Sequence, residues 1–301
     1  MYSLLKIPVG VYEKAFPAEY SWEQILTSAK QAGYDFVEMS IDESPERLDR
    51  LYWSHSDRAA LRQAIFNTEM PVWGMGISAH RKFPLGSASS DLRQQGLDIL
   101  YRSIELAADL GVKVIQIMGY DAFYEPSTED SRARYLEGLL EGVRWASGSG
   151  VMLALENIDV VTVDSVEKAM RFVKKINSPW FNTYPDIGNM TAAGYQPTTE
   201  LPLAQGYLVG VHVKDTRPGV LRGVPFGAGF VRFEEAFKTL FEMDYSGLIG
   251  VEMWAQMDQT GDPLNTSIRA REFVERQIQK AWGFPTEDPG ALSEEKRPDQ
   301  T

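Results

Sequence analysis

The chain contains no cysteine. Disulfides, thiolate metal sites and cysteine nucleophiles are therefore excluded, and the absence fits a reducing cytoplasm. Long apolar runs are missing too: no stretch reaches the roughly 18 residues that a membrane helix needs. Residues 1–6 show no charged segment leading into an apolar run, which predicts no signal peptide and a cytoplasmic location. Positive charge is scarce. Only 30 Lys and Arg face 42 Asp and Glu, giving a net charge of −12. Such a chain repels a phosphate backbone, so nucleic acid is not an expected partner. A small anionic metabolite needs only a few local cations and stays open.

What is present is alternation. Short apolar segments at 7–11, 36–41, 72–77, 114–118, 152–156, 181–184, 208–213 and 248–253 read as strands. Amphipathic stretches at 22–32, 57–69, 91–110, 131–145, 165–176, 233–243 and 268–282 read as helices; 198–207 is a short helical signal interrupted by Pro202. Apolar strands separated by helices predict a parallel sheet buried on both faces. Eight such units in 301 residues predict an α/β fold closed as a (β/α)₈ TIM barrel, typically ~250 residues in one domain. A doubly wound sheet would carry a Gly-rich turn after its first strand. Gly10-Val11-Tyr12-Glu13-Lys14 is no such turn. The domain is expected over 1–284, followed by a polar, Pro-rich, flexible tail over 285–301.

In a TIM barrel, chemistry gathers at the C-terminal ends of the strands. The fifth strand ends Ala154-Leu155-Glu156-Asn157 and the sixth runs into Tyr184-Pro185-Asp186. The seventh reads Gly210-Val211-His212-Val213-Lys214-Asp215 and the eighth ends Gly250-Val251-Glu252-Met253-Trp254. A lone strand-end Glu is usually a loop residue, and a His between two valines is often a satisfied core residue. Four adjacent strands offering one ligand each are harder to explain that way. Converging carboxylates repel unless a cation neutralises them. Glu156, Asp186, His212 and Glu252 therefore read as a site for one divalent ion: Mn²⁺, Mg²⁺, Co²⁺ or Zn²⁺.

At these residues the chain resembles the xylose-isomerase-like superfamily. Within it, the chain is similar to the L-ribulose-5-phosphate 3-epimerases of sugar-acid catabolism, also called L-xylulose-5-phosphate 3-epimerases. The likeness runs from Ile7-Pro8-Val9-Gly10-Val11-Tyr12-Glu13-Lys14 to the eighth strand. It is carried most specifically by Ser78-Ala79-His80-Arg81-Lys82-Phe83-Pro84-Leu85-Gly86-Ser87, Asn182-Thr183-Tyr184-Pro185-Asp186-Ile187-Gly188-Asn189 and His212-Val213-Lys214-Asp215-Thr216. The resemblance implies a metal-dependent isomerase that inverts C3 of a ketopentose 5-phosphate, taking L-xylulose 5-phosphate to L-ribulose 5-phosphate, as in L-ascorbate degradation. It implies Glu156 and Glu252 as ligands that also act as acid and base, Asp186 and His212 as ligands only, and a homodimer. Two carboxylates suit the chemistry, because C3 must lose a proton from one face and regain it on the other through an enediolate.

A phosphate needs local positive charge. Candidates are Lys14 and Glu13 after strand one, His80, Arg81 and Ser87 after strand three, and Lys214 and Arg217 at strand seven. The N-terminus of the helix beyond Ser87 offers amides and hydroxyls for an anion. Gly227-Ala228-Gly229 is a competing nest, and Lys214 could instead orient a metal ligand. Glu38 either meets sugar hydroxyls or braces His80; Tyr12, Gln116, Tyr120 and Trp254 point toward the same mouth. The four ligands alone also allow a free-ketose 3-epimerase, a hydroxypyruvate-type isomerase, an inosose dehydratase or a non-catalytic metal-stabilised sugar-binding barrel. A DNA-repair endonuclease, found among related barrels, would need more than the three histidines present and a basic surface.

Overall fold

The protein is described over residues 7–282 by a computed structural model. In chain order the strands are β1 Val9–Tyr12, β2 Phe36–Ile41, β3 Val72–Ile77, β4 Val114–Met118, β5 Met152–Glu156, β6 Phe181–Thr183, β7 Gly210–Val213, β8 Asp215–Arg217, β9 Val220–Val224 and β10 Leu248–Val251. Eight of them form one parallel sheet in the order β6-β5-β4-β3-β2-β1-β10-β7. The remaining seam, between β6 and β7, is closed by parallel bridges Thr183–Leu208 and Asp186–His212. His212 N–H donates to the Pro185 carbonyl across it at 2.8 Å. This is the TIM barrel that the strand count predicts. The closure matters for function, because it makes Asp186 and His212 backbone neighbours.

The helices are α1 Trp22–Gln31, α2 Pro45–Leu48, α3 His55–Thr68, α4 Ser90–Leu110, α5 Glu129–Ser149, α6 Val166–Ile176, α7 Ile187–Ala192, α8 Pro197–Glu200, α9 Phe233–Glu242 and α10 Pro263–Trp282. The logic of α6 is typical. Its buried residues Val166, Ala169, Met170, Val173 and Ile176 recur at helical spacing and face the barrel, and Ser165 caps its first turn by accepting from Lys168 N–H. The weak signal at 198–207 resolves into short α8 and a 3₁₀ turn, Leu201–Ala204, because Pro202 cannot continue an α-helix.

Short helix α2, helix α7 and a two-stranded hairpin are additional to the expected set. Helix α7 is one and a half turns long and starts from Asp186, whose Oδ1 accepts from Asn189 N–H at 2.7 Å. Strands β8 and β9 form an antiparallel hairpin between β7 and α9. The proposed tail at 285–301 lies outside the described residues. Among those residues no helix is long and apolar enough to cross a membrane.

Candidate metal centre and active site

The barrel delivers the four strand-end residues to one place. Glu156 closes β5, Asp186 follows β6, His212 lies in β7 and Glu252 follows β10. Each offers one ligand atom, and these atoms all lie within 4.8 Å of one another. Around the ring the order is β5, β6, β7, β10, so the two glutamates enter from either side of the Asp186–His212 pair.

The donor set fits a divalent ion. Three carboxylates and one imidazole are a mixed oxygen and nitrogen cage, suited to a hard or borderline cation. Asp186 Oδ2 is buried and accepts no hydrogen bond. An orphaned carboxylate oxygen is costly in such a place unless something charged faces it.

Lys214 supplies part of that charge. Its ammonium is 2.9 Å from Asp186 Oδ2 and 2.5 Å from Glu252 Oε2, and it is almost fully buried. Lys214 thus belongs to the carboxylate cluster, the second of the two roles its sequence position allowed. Burial opposes charging of Glu252, but the Lys214 ammonium outweighs it and holds the acid down to about 2. Burial pushes Asp186 up to about 7, with Lys214 pulling the other way. Glu156 is also raised by burial, against the pull of His212. For His212, burial favours the neutral ring, yet Glu38 and Glu156 overcome it and raise the imidazole well above its usual range.

The residues proposed for phosphate do not converge as one set. Lys14 is partly exposed and pairs with Asp42 at 2.5 Å. Glu13 is turned inward, accepting from Ser40 N–H, Arg47 Nε and Arg50 Nη1. His80 is buried with Nε2 3.1 Å from the Gly96 carbonyl, and burial lowers it to about 4, so it is neutral at pH 7. Arg81 lies over the Phe123 ring at 4.9 Å, and its buried Nε has no partner. Arg217 donates through Nε and Nη2 to the Ala228 carbonyl.

Both predicted anion nests hold one of the protein's own carboxylates. Ser87 Oγ and Ala88 N–H donate to Glu125 at 2.5 and 2.9 Å. Gly227 N–H and Gly229 N–H donate to Asp215 Oδ2 at 2.9 and 2.8 Å. At both places the donors are met by an anion from within the chain rather than left open to a phosphate.

Of the residues placed near the mouth, Tyr12 gives its hydroxyl to Ser40 Oγ and Tyr120 to the Ser78 carbonyl. Glu38 meets neither solvent nor His80: it lies 2.7 Å from His212 Nε2. Trp254 is buried, with Lys214 Nζ 5.7 Å and Arg222 5.3 Å from its ring. Arg222 is a residue that sequence reasoning misses. It stands on the exposed hairpin strand β9, and its charge favours ionised Glu252. The hairpin's turn, Pro218-Gly219, is its one sequence signal.

Comparison with known proteins places the chain. Residues 26–276 match the Xylose isomerase-like TIM barrel family. Over 276 residues the chain is 45% identical to the L-ribulose-5-phosphate 3-epimerase UlaE of Shigella sonnei (strain Ss046), covering 92% of this chain and 96% of that one. The protein of the same name from Escherichia coli O157:H7 matches to the same extent. A solved L-ribulose 3-epimerase superposes with a TM-score of 0.76 at 19% identity, covering 91% of this chain and 95% of its own. The D-allulose 3-epimerase of Methylomonas sp. gives 0.75 at 18% identity, covering 90% and 97%. At those identities the structures establish the fold, whereas the UlaE matches establish kinship. This chain belongs to the L-ribulose-5-phosphate 3-epimerase family within the xylose isomerase-like TIM barrels, and it is an enzyme of the isomerase class.

Proposed function

We propose that this enzyme inverts C3 of a ketopentose 5-phosphate, converting L-xylulose 5-phosphate to L-ribulose 5-phosphate in the cytoplasm as a homodimer, within L-ascorbate degradation. The observation that carries the reading is the convergence of Glu156, Asp186, His212 and Glu252 at the mouth of the barrel. These four would hold one divalent ion, Mn²⁺, Mg²⁺, Co²⁺ or Zn²⁺. When bound, the ion supplies Lewis-acid polarisation of the ketone and countercharge for the anion that deprotonation creates.

The chain's own residues move the proton. One of the two glutamates takes the C3 proton and becomes a carboxylic acid, leaving an enediolate. The other, already protonated, returns a proton to C3 from the opposite face. Glu156 and Glu252 suit this division because they flank Asp186 and His212. Lys214, paired with Glu252, keeps that carboxylate charged and in place. For the phosphate, Arg81, whose Nε has no partner, is the candidate that the geometry supports. Lys14, His80, Ser87, Glu13 and Arg217 have internal partners, and Lys214 is held by Asp186 and Glu252.

The test is NMR of L-xylulose 5-phosphate with the enzyme in D₂O, with and without chelator. Deuterium should enter C3 as L-ribulose 5-phosphate appears, and chelation should stop both. Glu252→Gln should lose exchange while remaining folded. Deuterium at C1 would make the protein an aldose–ketose isomerase, and turnover of free ketoses alone would overturn the phosphate assignment.

A further inference from the structure

Glu38 lies wholly inside the barrel, with no exposed surface left for a substrate. Side chains from three other strand segments converge on it. Gln116 of β4 donates from Nε2 to Oε1 at 2.6 Å. Tyr184, just past β6, donates its hydroxyl to the same oxygen at 2.8 Å. His212 of β7 meets Oε2 through Nε2 at 2.7 Å. A carboxylate in a barrel interior is expensive unless its lone pairs are filled. Here both oxygens are filled.

The backbone makes room for this acid at two further strands. A Cβ on Gly74 would stand 2.8 Å from Glu38 Oε1. One on Gly250 would stand 2.7 Å from Glu38 Oε2 and 2.6 Å from His212 Cδ2. Neither position can carry a side chain without displacing the pair. Positions on β3, β4, β7 and β10, and Tyr184 beyond β6, are thus committed to one buried acid and to the imidazole it touches.

An imidazole has two nitrogens, and which one carries the proton is set by the partner of the other. Glu38 can only accept at Nε2, so Nε2 is the donor. Nδ1 is then the nitrogen turned toward the cluster, 3.1 Å from Glu156 Oε1. The Tyr184 ring lies against the imidazole, centroids 4.8 Å apart, and limits its rotation. We infer that Glu38 is the positioning residue of the metal centre: it fixes the tautomer and rotation of His212 so that Nδ1 is the ligand atom, and Tyr184 and Gln116 orient Glu38 in turn. The inference rests on the quartet being a metal site, as proposed above.

Two measurements test it. The first uses the unmodified protein, labelled with ¹⁵N-histidine and loaded with ¹¹³Cd²⁺. The chain has only three histidines, so the spectrum is simple. His212 Nδ1 should couple to cadmium while Nε2 carries a slowly exchanging proton. Coupling at Nε2 overturns the inference, whereas an absence of any cadmium binding overturns the metal site itself.

The second titrates metal-free protein with Mn²⁺ against a chelating indicator. Glu38→Gln should lose about 10–100-fold in affinity with its circular dichroism and cooperative unfolding retained. Tyr184→Phe keeps the Glu38–His212 pair and should lose less. Unchanged affinity in folded Glu38→Gln, or an equal loss in Tyr184→Phe, sinks the idea. The cadmium measurement needs no substitution, so it decides the matter whether or not the variants fold.

Discussion

Lys214 places an ammonium group between two carboxylates, buried Asp186 and half-buried Glu252, that otherwise repel each other and their neighbour Glu156. Removing one partner of a buried charge cluster typically costs about 3–5 kcal/mol, because the remaining charges stay desolvated and unpaired. Lys214→Met should therefore destabilise the metal-free protein by roughly that amount, and by much less when a divalent ion is present to supply the missing charge. Denaturant unfolding of both proteins, with chelator and with Mn²⁺, reads the difference. Equal stability of variant and parent in chelator would remove Lys214 from the electrostatics of the site. At this scale the converging quartet is legible in the amino-acid sequence. Each closes an apolar strand, and a barrel brings strand ends together whatever the details of its loops. The role of Glu38 is not legible there. Its partner His212 is 174 residues away, and nothing local distinguishes a β2 glutamate facing a sugar from one facing an imidazole.

Elements show the same division between local and distant information. Gly227-Ala228-Gly229 and the segment opening α4 display donors that fit an anion, and donors are what a sequence reveals. The acceptors come from elsewhere: Glu125 lies 37 residues beyond Ala88, in the loop between β4 and α5. Asp215 is nearer, but only the β8–β9 hairpin folds the chain back on it. The Asp215 carboxylate accepts from the backbone N–H groups of Thr216, Gly227, Gly229 and Val231. Hydrogen bonds to a charged group are worth about 1.5–3 kcal/mol each, so this one side chain organises the hairpin base. Asp215→Ala should speed amide exchange across 225–231 by at least about tenfold, the equivalent of ~1.4 kcal/mol, while the barrel strands stay protected. Unchanged exchange in 225–231 would show that the loop holds itself. Helix α7 and the hairpin leave little trace in the sequence because each is too short to repeat its period often enough to be recognised.

For the molecule as a whole, a metal held by the quartet would also be a clasp. The four residues come from β5, from β7, and from the residues just after β6 and β10, and Asp186 and His212 sit on the β6–β7 seam where the ring closes through isolated bridges rather than a continuous ladder. An ion held by all four would tie that seam to its neighbours on both sides. It would bind the folded state only, since nothing in an unfolded chain keeps residues 156 and 252 together. Stabilisation then follows from mass action: at a free ion concentration 100 times Kd it is about 2.7 kcal/mol. In a chain of this size that corresponds to a rise in Tm of several degrees, and of more as the concentration grows. The rise should be lost in Glu252→Gln or Asp186→Asn if the quartet is the site. It should be matched by slower hydrogen exchange in β6 and β7, the two strands whose pairing the ion would reinforce. Calorimetry with Mn²⁺, Mg²⁺, Co²⁺, Zn²⁺ and chelator measures the first effect, and exchange mass spectrometry the second. A Tm indifferent to every ion and to chelator would leave the four residues a carboxylate cluster balanced by Lys214 alone. A rise in Tm without protection at the seam would keep the metal but discard the clasp.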